Sequence, residues 1–470
     1  MPLTTRLPAV IQGGMGVAVS DWRLARAVAT RGQLGVVSGT AIDSVLVRRL
    51  QDGDPDGAVR RAMAAFPIPG VAERVLREYF LPGGRPPGAA YRLLPLQRPG
   101  SGRDRVLVNT IAAFVEVFLA KEGHDGMVGM NLLTKIQLPT LATLYGAMLA
   151  GVDAILMGAG IPREIPGALD QLARHEPAEL RFEVEGLEPD RVERLQLAPR
   201  ELWDPGALAL RRPQFLAIIA STSLATMLAR KASGRVDGFI IEGPTAGGHN
   251  APPRGQPTFN DRGEPIYGER DVVDLAKVAD LGLPFWLAGG TGRAGALREA
   301  QAAGAAGIQV GTLFAWSDES GLDPELKATV LAHAARGDVS VRTDPRASPT
   351  GYPFKLVTWE GAPTPGARER ICDLGYLRVA YQRPDGGIGF RCASEPVDDF
   401  VRKGGEASET DGRHCLCNGL MADIGMGQPR ADGTIEPPLL TSGDDLLEMR
   451  AFLAGRTHYS AGDVLEFLVS

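Results

Sequence analysis

The order of apolar runs along this chain is the feature that most restricts its fold. Eight short runs rich in β-branched and aromatic residues alternate with alanine- and leucine-rich stretches of helical character. The runs are AVIQ (9–12), LGVVS (34–38), MVGMNLL (127–133), AILMG (154–158), FLAIIAS (215–221), GFIIEG (238–243), PFWLAGG (284–290) and GIQVGT (307–312). Eight strand–helix repeats predict an α/β fold, namely a (β/α)8 TIM barrel whose parallel strands are buried by surrounding helices.

Two insertions and one extension interrupt this pattern. Residues 41–126 add helical stretches and the proline-rich sequence LPGGRPPG, and residues 163–212 form an irregular excursion with many charges. The periodicity stops near residue 340. We therefore predict a barrel domain with helical insertions over residues 1–340, and a loop-rich C-terminal extension over residues 341–470 that closes or stabilises the barrel.

Composition excludes several classes of partner. Apolar residues make up 44% and charged residues 23% of the chain, as in globular proteins, and the net charge of −6 gives no basic footprint for nucleic acid. No stretch forms an unbroken membrane span, and the N-terminal MPLTTRLPAVIQ lacks the apolar segment of a signal peptide. We therefore expect a cytoplasmic protein with a small-molecule substrate, no nucleic acid and no membrane contact, and a homo-oligomer is left open.

The residues after each predicted strand indicate where a ligand binds, because TIM-barrel active sites form at the C-terminal ends of the strands. These loops are rich in glycine, hydroxyl and amide groups and carry few charges. They read GGMG (13–16), SGT (38–40), NLLTK (131–135), GAGIP (158–162), STS (221–223), GPTAGGHN (243–250), GGTG (289–292) and GTLF (311–314). Such a rim suits a large, flat ligand with polar edges that is held mainly by main-chain groups.

The sequence GTGRAG (290–295) has two interpretations. Alone, it matches the dinucleotide fingerprint of a Rossmann domain. Six strand–helix units precede it, however, and the next strand ends in Gly311-Thr312 rather than in an acidic residue. In a TIM barrel, the loops after strands seven and eight form a phosphate site. We therefore predict that Gly289, Gly290, Gly311 and Thr312 bind a phosphate, and one such cradle in a glycine-lined barrel fits FMN.

His249 is the candidate for proton transfer. It follows two glycines in EGPTAGGHN (242–250), where the bare backbone lets a ligand approach. An imidazole has an unperturbed pKa near 6.5, so it can exchange protons at neutral pH. The alternative is a loop histidine that only bonds a backbone carbonyl or points into water.

Six motifs in a fixed order resemble the nitronate monooxygenase family, formerly called 2-nitropropane dioxygenases, which includes FMN-dependent relatives that reduce enoyl-acyl carrier proteins. The resemblance covers about residues 8–320 apart from the insertions, and AGGH, GGTG and GT are its most specific parts. The motifs are IQGGMG, GMNLLTK, LYGAMLAGVDAILMGAGIP, EGPTAGGH, LAGGTG and IQVGTLFAWSDES. The resemblance implies an FMN-binding TIM barrel with an oxidoreductase activity.

Several site residues follow from this resemblance. Gly14 and Met15 would lie against the flavin, and Asn131 would bond its ring. Gly247 and Gly248 would let FMN approach the loop, and His249 matches the catalytic histidine of the family. Glu242 has two readings, since it either orients the ribityl chain or only caps a backbone amine.

The resemblance leaves the reaction open between two candidates. The preferred reaction is oxidation of alkyl nitronates or nitroalkanes by molecular oxygen, with His249 as base. The alternative is reduction of an enoyl-acyl carrier protein with NAD(P)H in lipid or polyketide synthesis, because QGGM in the first loop looks closer to the flavin enoyl reductases. A non-catalytic barrel subunit is a hypothesis of another class.

Other candidates have weaker sequence support. Arg254 lies in a long insertion, residues 250–268, which can form a lid, and it either grips an anionic substrate or is solvated; Lys135 and Ser221 lie on the rim. The cysteines lack the C-x2–4-C spacing usual for zinc. Free buried thiols are preferred over a structural metal, with zinc ahead of iron–sulfur. The four cysteines are Cys372, Cys392, Cys415 and Cys417.

Overall fold

Eight parallel strands form the centre of the molecule. The computed structural model describes residues 7–188, 190–362 and 368–470. The strands are β1 (Val10–Gln12), β2 (Gly35–Ser38), β3 (Val128–Leu133), β4 (Ala154–Gly158), β5 (Gln214–Ile219), β6 (Gly238–Glu242), β7 (Phe285–Ala288) and β8 (Gly307–Val310). Their order is β1-β8-β7-β6-β5-β4-β3-β2, and a parallel bridge between Ile11 and Leu34 joins the two ends. The predicted TIM-barrel fold is confirmed.

The barrel interior is filled by side chains, so it is a packed core rather than a pore. Trp286 is almost fully buried there, and its indole N–H donates to the carbonyl of Pro8 at 3.0 Å. Buried apolar side chains from several strands surround it, namely Ile11, Leu34, Val36, Ala154, Leu156, Leu216 and Ile240. A filled interior leaves only the ends of the strands for a ligand.

Helices cover the outside of the barrel. Helix Trp22–Ala29 begins after Asp21, because the Asp21 carboxylate accepts the N–H groups of Arg23 and Leu24 and so caps the helix. The other helices of the barrel and its connections are Thr140–Leu149, Ile165–Ala173, Pro199–Leu202, Thr222–Lys231, Leu275–Ala279, Ala296–Ala302, Thr312–Ala315 and Pro324–Arg336, with a 3-10 turn at Glu269–Asp271.

Both insertions contain regular elements. The first carries helices Ile42–Gln51, Ala58–Ala64, Val71–Tyr79 and Arg103–Lys121. The second includes the antiparallel strands Ala178–Phe182 and Glu193–Leu197. Its short strand Val184–Glu185 pairs with a strand of the C-terminal extension, so the two added segments support each other.

The C-terminal extension returns to the mouth of the barrel. Strand Ser340–Asp344 pairs antiparallel with Phe354–Thr358, and Val379–Gln382 pairs with Ile388–Arg391. Its helices are Val397–Arg402, Leu416–Ala422, Met449–Leu453 and Ala461–Val469, with 3-10 turns at Ala407–Thr410 and Asp444–Glu448. Residues of the extension, among them Phe354, Leu377 and Gly443, line one cavity together with the loops at the strand ends, where the ligand site is expected.

Helix length and composition also bear on membranes. None of the helices in the described residues is both long enough and apolar enough to cross a bilayer.

Candidate active site

The mouth of the barrel holds a cavity of about 230 Å³ at the C-terminal ends of the strands. The residues expected to bind FMN and the candidate catalytic histidine all line this cavity. They are Gly14, Met15, Asn131, Glu242, Gly247, Gly248, His249, Gly289, Gly290, Gly311 and Thr312. Their convergence follows from the fold, since the C-terminal ends of parallel strands meet on one face of the barrel.

The loop after β1 is held close to β3. A Cβ atom at Gly14 would lie 2.2 Å from the Cβ of Asn131, so only glycine fits this approach. The Ser20 hydroxyl accepts the Met15 N–H at 2.9 Å, and the Gln12 side chain accepts the Val36 N–H at 2.9 Å. These bonds fix the loop beside the cavity. Asn131, whose side-chain amide has no hydrogen-bond partner among the described residues, also lines the cavity.

The loops after β7 and β8 present main-chain donors. Within the described part of the chain, the N–H groups of Gly290, Gly311 and Thr312 donate to no protein acceptor. Two neighbouring groups are engaged by the extension. Gly443 N–H donates to the Thr312 hydroxyl at 3.0 Å, and Gly292 N–H donates to the Asp445 carboxylate at 3.0 Å.

Asp445 was not predicted from the sequence. It lies in the extension, more than 150 residues after the loop that it contacts, so no local pattern points to it. Burial raises the pKa of its carboxyl group above the ordinary value, and the bond from Gly292 partly offsets this.

The extension holds His249 in place through backbone bonds. Lys355 N–H donates to the Gly248 carbonyl at 2.9 Å, and Asn250 N–H donates to the Pro353 carbonyl at 2.9 Å. The imidazole ring packs against Phe354, with ring centroids 4.9 Å apart. Its Nε2 atom lies 2.7 Å from the Ser348 hydroxyl. Thus the loop after β6 and the extension form one unit around the histidine.

The environment of His249 differs from the sequence expectation in one respect. Burial lowers its pKa to about 4, rather than leaving it near 6.5. The imidazole is therefore neutral at neutral pH, and each nitrogen can only donate or accept a single bond. The cover by the extension, which the sequence does not reveal, is the physical reason.

Glu242 ends β6 and faces the same cavity. Its carboxyl group makes no hydrogen bond to any described residue, so it does not cap a backbone amine. Burial raises its pKa to about 7, because no cation lies close enough to stabilise the ionised form. A carboxyl group left without a protein partner in a cavity is available to a bound ligand.

The extension also supplies an apolar wall that the sequence did not predict. We define the apolar wall by the residues Leu133, Ile136, Tyr376, Leu377, Leu416, Cys417 and Leu420. Five of the seven come from the extension. The Gln309 amide oxygen, which is buried without a hydrogen-bond partner among the described residues, also lines the cavity. The site therefore combines an apolar wall with polar groups that have no protein partner.

The weaker candidates lie around this cavity. Arg254 and Ser221 line a second cavity of about 250 Å³, and His249 and Glu242 line both cavities. Ser221 caps the helix after β5, since its hydroxyl accepts the Leu224 N–H at 3.1 Å.

Lys135 lies outside both cavities. Its ammonium group stands 5.4 Å from the centre of the Tyr352 ring and 4.0 Å from the Glu183 carboxylate. Lys135 therefore contacts other side chains on the rim rather than the space where a ligand would bind.

The four cysteines surround a small cavity of about 10 Å³ behind the apolar wall. They are free thiols, and Cys392 and Cys415 are buried. No group of three or more His, Cys, Asp or Glu side chains in the described residues is arranged to hold a metal ion.

Comparison with known protein families gives a match for one segment of the chain. Residues 207–344 match the family model of nitronate monooxygenase. This segment carries β5 to β8, His249 and the last three of the six motifs. The resemblance to nitronate monooxygenases inferred from the sequence is thereby confirmed, and it supports an FMN-dependent oxidoreductase. No protein of curated function matches the sequence.

Three solved structures are similar to the chain at low sequence identity. FabK from Thermotoga maritima has 16% identity and a TM-score of 0.45, covering 98% of this chain and 91% of that chain. Nitroalkane oxidase from Streptomyces ansochromogenes has 16% identity and a TM-score of 0.46, covering 100% and 97%. The enoyl reductase domain of MlnA from Bacillus amyloliquefaciens has 10% identity and a TM-score of 0.46, covering 98% and 94%.

The residues of the cavity fit FMN. Unused N–H groups at Gly290, Gly311 and Thr312 suit a phosphate, because such donors bind anions without a charged side chain. The unpartnered amides of Asn131 and Gln309 and the carboxyl group of Glu242 can bond the polar edge of a flavin and its sugar-like chain.

Proposed function

We propose that this chain is an FMN-dependent oxidoreductase in which His249 transfers a proton to or from the substrate. The observation that carries the proposal is one cavity that joins unused main-chain donors, unpartnered amides and a histidine at the strand ends. Bound FMN would supply the electron transfer, which no side chain of the protein can perform. The protein would supply binding, orientation and the proton.

The geometry at His249 suits proton transfer. Nε2 is bonded to Ser348, whereas Nδ1 has no hydrogen-bond partner among the described residues, and the ring lines the cavity. A substrate in the cavity can therefore meet Nδ1. The Phe354 ring of the extension packs edge to face against the imidazole and limits its movement.

For the substrate, we propose an enoyl thioester, which gains a hydride equivalent from a nicotinamide nucleotide and one proton. The reason is the lining of the cavity. Neither lysine nor arginine lines it among the described residues, whereas the apolar wall offers a surface for an uncharged acyl group. A nitronate is an anion, and here it would lie near Glu242 and Asp445 without a cation to pair with.

Oxidation of an alkyl nitronate or nitroalkane by molecular oxygen is the second candidate. The match of residues 207–344 to the nitronate monooxygenase model favours it. A neutral nitroalkane would avoid the charge problem, with His249 taking the proton from the carbon next to the nitro group. The sequence analysis favours this reaction. We place it second because no lysine or arginine among the described residues lines the cavity.

One anaerobic experiment separates the two reactions. The purified protein, loaded with FMN, is mixed with NADPH or with ethyl nitronate, and the flavin absorbance is followed. Rapid bleaching by NADPH and recovery on addition of crotonyl-pantetheine support the reductase. Bleaching by the nitronate alone contradicts it and supports the oxidase.

The same preparation tests the non-catalytic hypothesis. A protein that retains no flavin and shows no flavin absorbance after incubation with FMN would be a binding subunit rather than an enzyme. We expect a yellow protein instead. A His249→Gln variant should keep the flavin and lose at least about 100-fold in turnover, the usual scale for a lost proton-transfer group.

A further inference from the structure

His249 is connected to the protein surface through two hydroxyl groups of the extension. Its Nε2 atom lies 2.7 Å from the Ser348 hydroxyl oxygen, which in turn lies 2.8 Å from the Thr350 hydroxyl oxygen. Both distances are those of normal hydrogen bonds. The three side chains therefore form a continuous chain of hydrogen-bonding groups.

The two ends of this chain lie in different surroundings. Ser348 is fully buried, and His249 lines the reaction cavity. Thr350 is half-buried and lines an open groove of about 610 Å³, which lies between the extension and the second insertion. The chain thus leads from the cavity, where a proton is needed, to a groove where water can supply it.

The loop that carries Ser348 is held rigidly. Arg413 donates to the Ser348 carbonyl at 2.6 Å, and the Thr350 N–H donates to the Ser348 hydroxyl at 3.2 Å. His414 N–H donates to the carbonyl of Ala347 at 2.9 Å. These bonds keep the Ser348 hydroxyl directed at the imidazole, as a proton relay requires.

We propose that Ser348 and Thr350 form a proton relay that exchanges the proton of His249 with the surface groove. The proposal rests on the proposed function, in which His249 transfers a proton at Nδ1. Neither residue falls within the segment matched by the family model, so the relay belongs to the extension of this chain.

The proton balance of the relay is simple. When Nδ1–H passes to the substrate, the Ser348 hydroxyl proton moves to Nε2 and the Thr350 proton moves to the Ser348 oxygen. Water in the groove then replaces the proton of Thr350. In one turnover, one proton enters from the groove and one leaves to the substrate. The imidazole stays neutral and ends with its proton on Nε2, so this proton must move back to Nδ1 by tautomerisation before the next turnover. This neutrality fits a ring whose charged form is disfavoured by burial.

The test uses single turnovers of the full-length holoenzyme. Ser348→Ala and Thr350→Val remove a hydroxyl, Thr350→Ser keeps one, and Thr358→Val alters an exposed threonine of the same extension. We expect losses of about 10- to 100-fold for the first two, smaller than for His249→Gln. Thr350→Ser should restore most of the rate, and the multi-proton solvent isotope effect should vanish in Ser348→Ala.

A spectroscopic measurement keeps the test independent of turnover. In protein labelled at the imidazole nitrogens, His249→Gln identifies the resonances of His249. Ser348→Ala should shift the Nε2 resonance and change the tautomer population, whereas Thr358→Val should not. Thr350 is half-buried, so its variants should fold even if Ser348→Ala does not.

The outcomes separate the two proposals. Wild-type rates in Ser348→Ala and Thr350→Val, beside an inactive His249→Gln, would overturn the relay and leave the proposed function standing. A fully active His249→Gln would overturn both. The relay is supported if Ser348→Ala and Thr350→Val are slow, if the multi-proton isotope effect is lost in Ser348→Ala, and if Thr350→Ser keeps most of the wild-type rate.

Discussion

At the scale of single residues, Glu242 couples the cavity to pH. Burial raises its pKa to about 7, compared with about 4.5 for an exposed glutamate. The folded protein therefore binds more protons than the unfolded chain between these values. The contribution of Glu242 to stability is therefore fully present below its unfolded-state pKa of about 4.5, and it is lost as the pH rises through the folded-state pKa of about 7.

Glu242→Gln tests this coupling in the cofactor-free protein. We expect the variant to gain stability relative to wild type at about pH 8 and little at about pH 5. The gain should raise the melting temperature by about 2 °C, since the carboxyl group faces a cavity that can admit water. Melting curves at both pH values measure it. His249 is present in both proteins, so its own titration cancels from the difference.

Glu466→Gln, on the exposed side of the last helix, is the control. At both pH values, the melting temperature of this control should equal that of the wild-type protein. A pH-independent effect of Glu242→Gln would show that Glu242 is already ionised in the folded protein at low pH.

At the scale of elements, the contact between the loop after β6 and the extension determines the shape of the cavity. A Cβ atom at Gly247 would lie 2.7 Å from the backbone nitrogen of Gly443, which cannot move away like a flexible side chain. Gly248 N–H also donates to the Thr441 hydroxyl at 2.8 Å. The glycine at 247 is thus required by the approach of the extension, whereas the sequence suggested the approach of a ligand.

Gly247→Ala should separate these two elements. We expect a loss of about 1–3 kcal/mol in stability, typical of forced overpacking, and weaker binding of FMN. Gly268→Ala is the matched control, because a Cβ atom there meets nothing within 4 Å. Denaturant titrations and flavin fluorescence titrations measure the two effects. Equal values for both alanine variants would contradict the interlocking contact.

The elements that sequence predicts well are those with local signals. Each barrel strand is a mainly apolar run, six of the eight end in glycine or are followed directly by it, and the loop residues follow from the rule that parallel strands end on one face. Ser348, Asp445 and the apolar wall have no such signal. Ser348 meets His249 across 99 positions, and the pairing of Phe354 with the loop after β6 is one of the contacts that bring them together.

The predicted pKa of His249 failed for the same reason. An unperturbed imidazole is a fair assumption for a loop residue, and nothing near position 249 in the sequence indicates burial. The ring becomes buried because a strand that starts about 100 residues later packs against it. Long-range cover of this kind changes the chemistry of a residue without changing its local sequence.

At the scale of the whole molecule, an ion pair between a buried lysine and a partly exposed aspartate joins two segments of the extension at the barrel mouth. Lys355 follows the residue that packs on His249, and its ammonium group donates to Asp444 at 2.6 Å and to Thr343 at 3.0 Å. The Lys355 side chain is 4% exposed and that of Asp444 is 37% exposed. The pair therefore links the strand beside the histidine to the segment beside the predicted phosphate loops.

Lys355→Met should loosen both regions together. Removing one partner leaves Asp444 without its cation, and we expect a cost of about 1–2 kcal/mol, below that of a fully buried pair because Asp444 reaches solvent. FMN binding should weaken about 5- to 20-fold, since Asp445 would no longer be held against Gly292. Lys277→Met breaks an exposed pair with Asp274 and should change neither quantity. Flavin titrations and thermal unfolding of both variants measure FMN affinity and stability. A Lys355→Met protein that loses stability but binds FMN as tightly as wild type would contradict the prediction. The extension would then support the barrel without shaping its cofactor site.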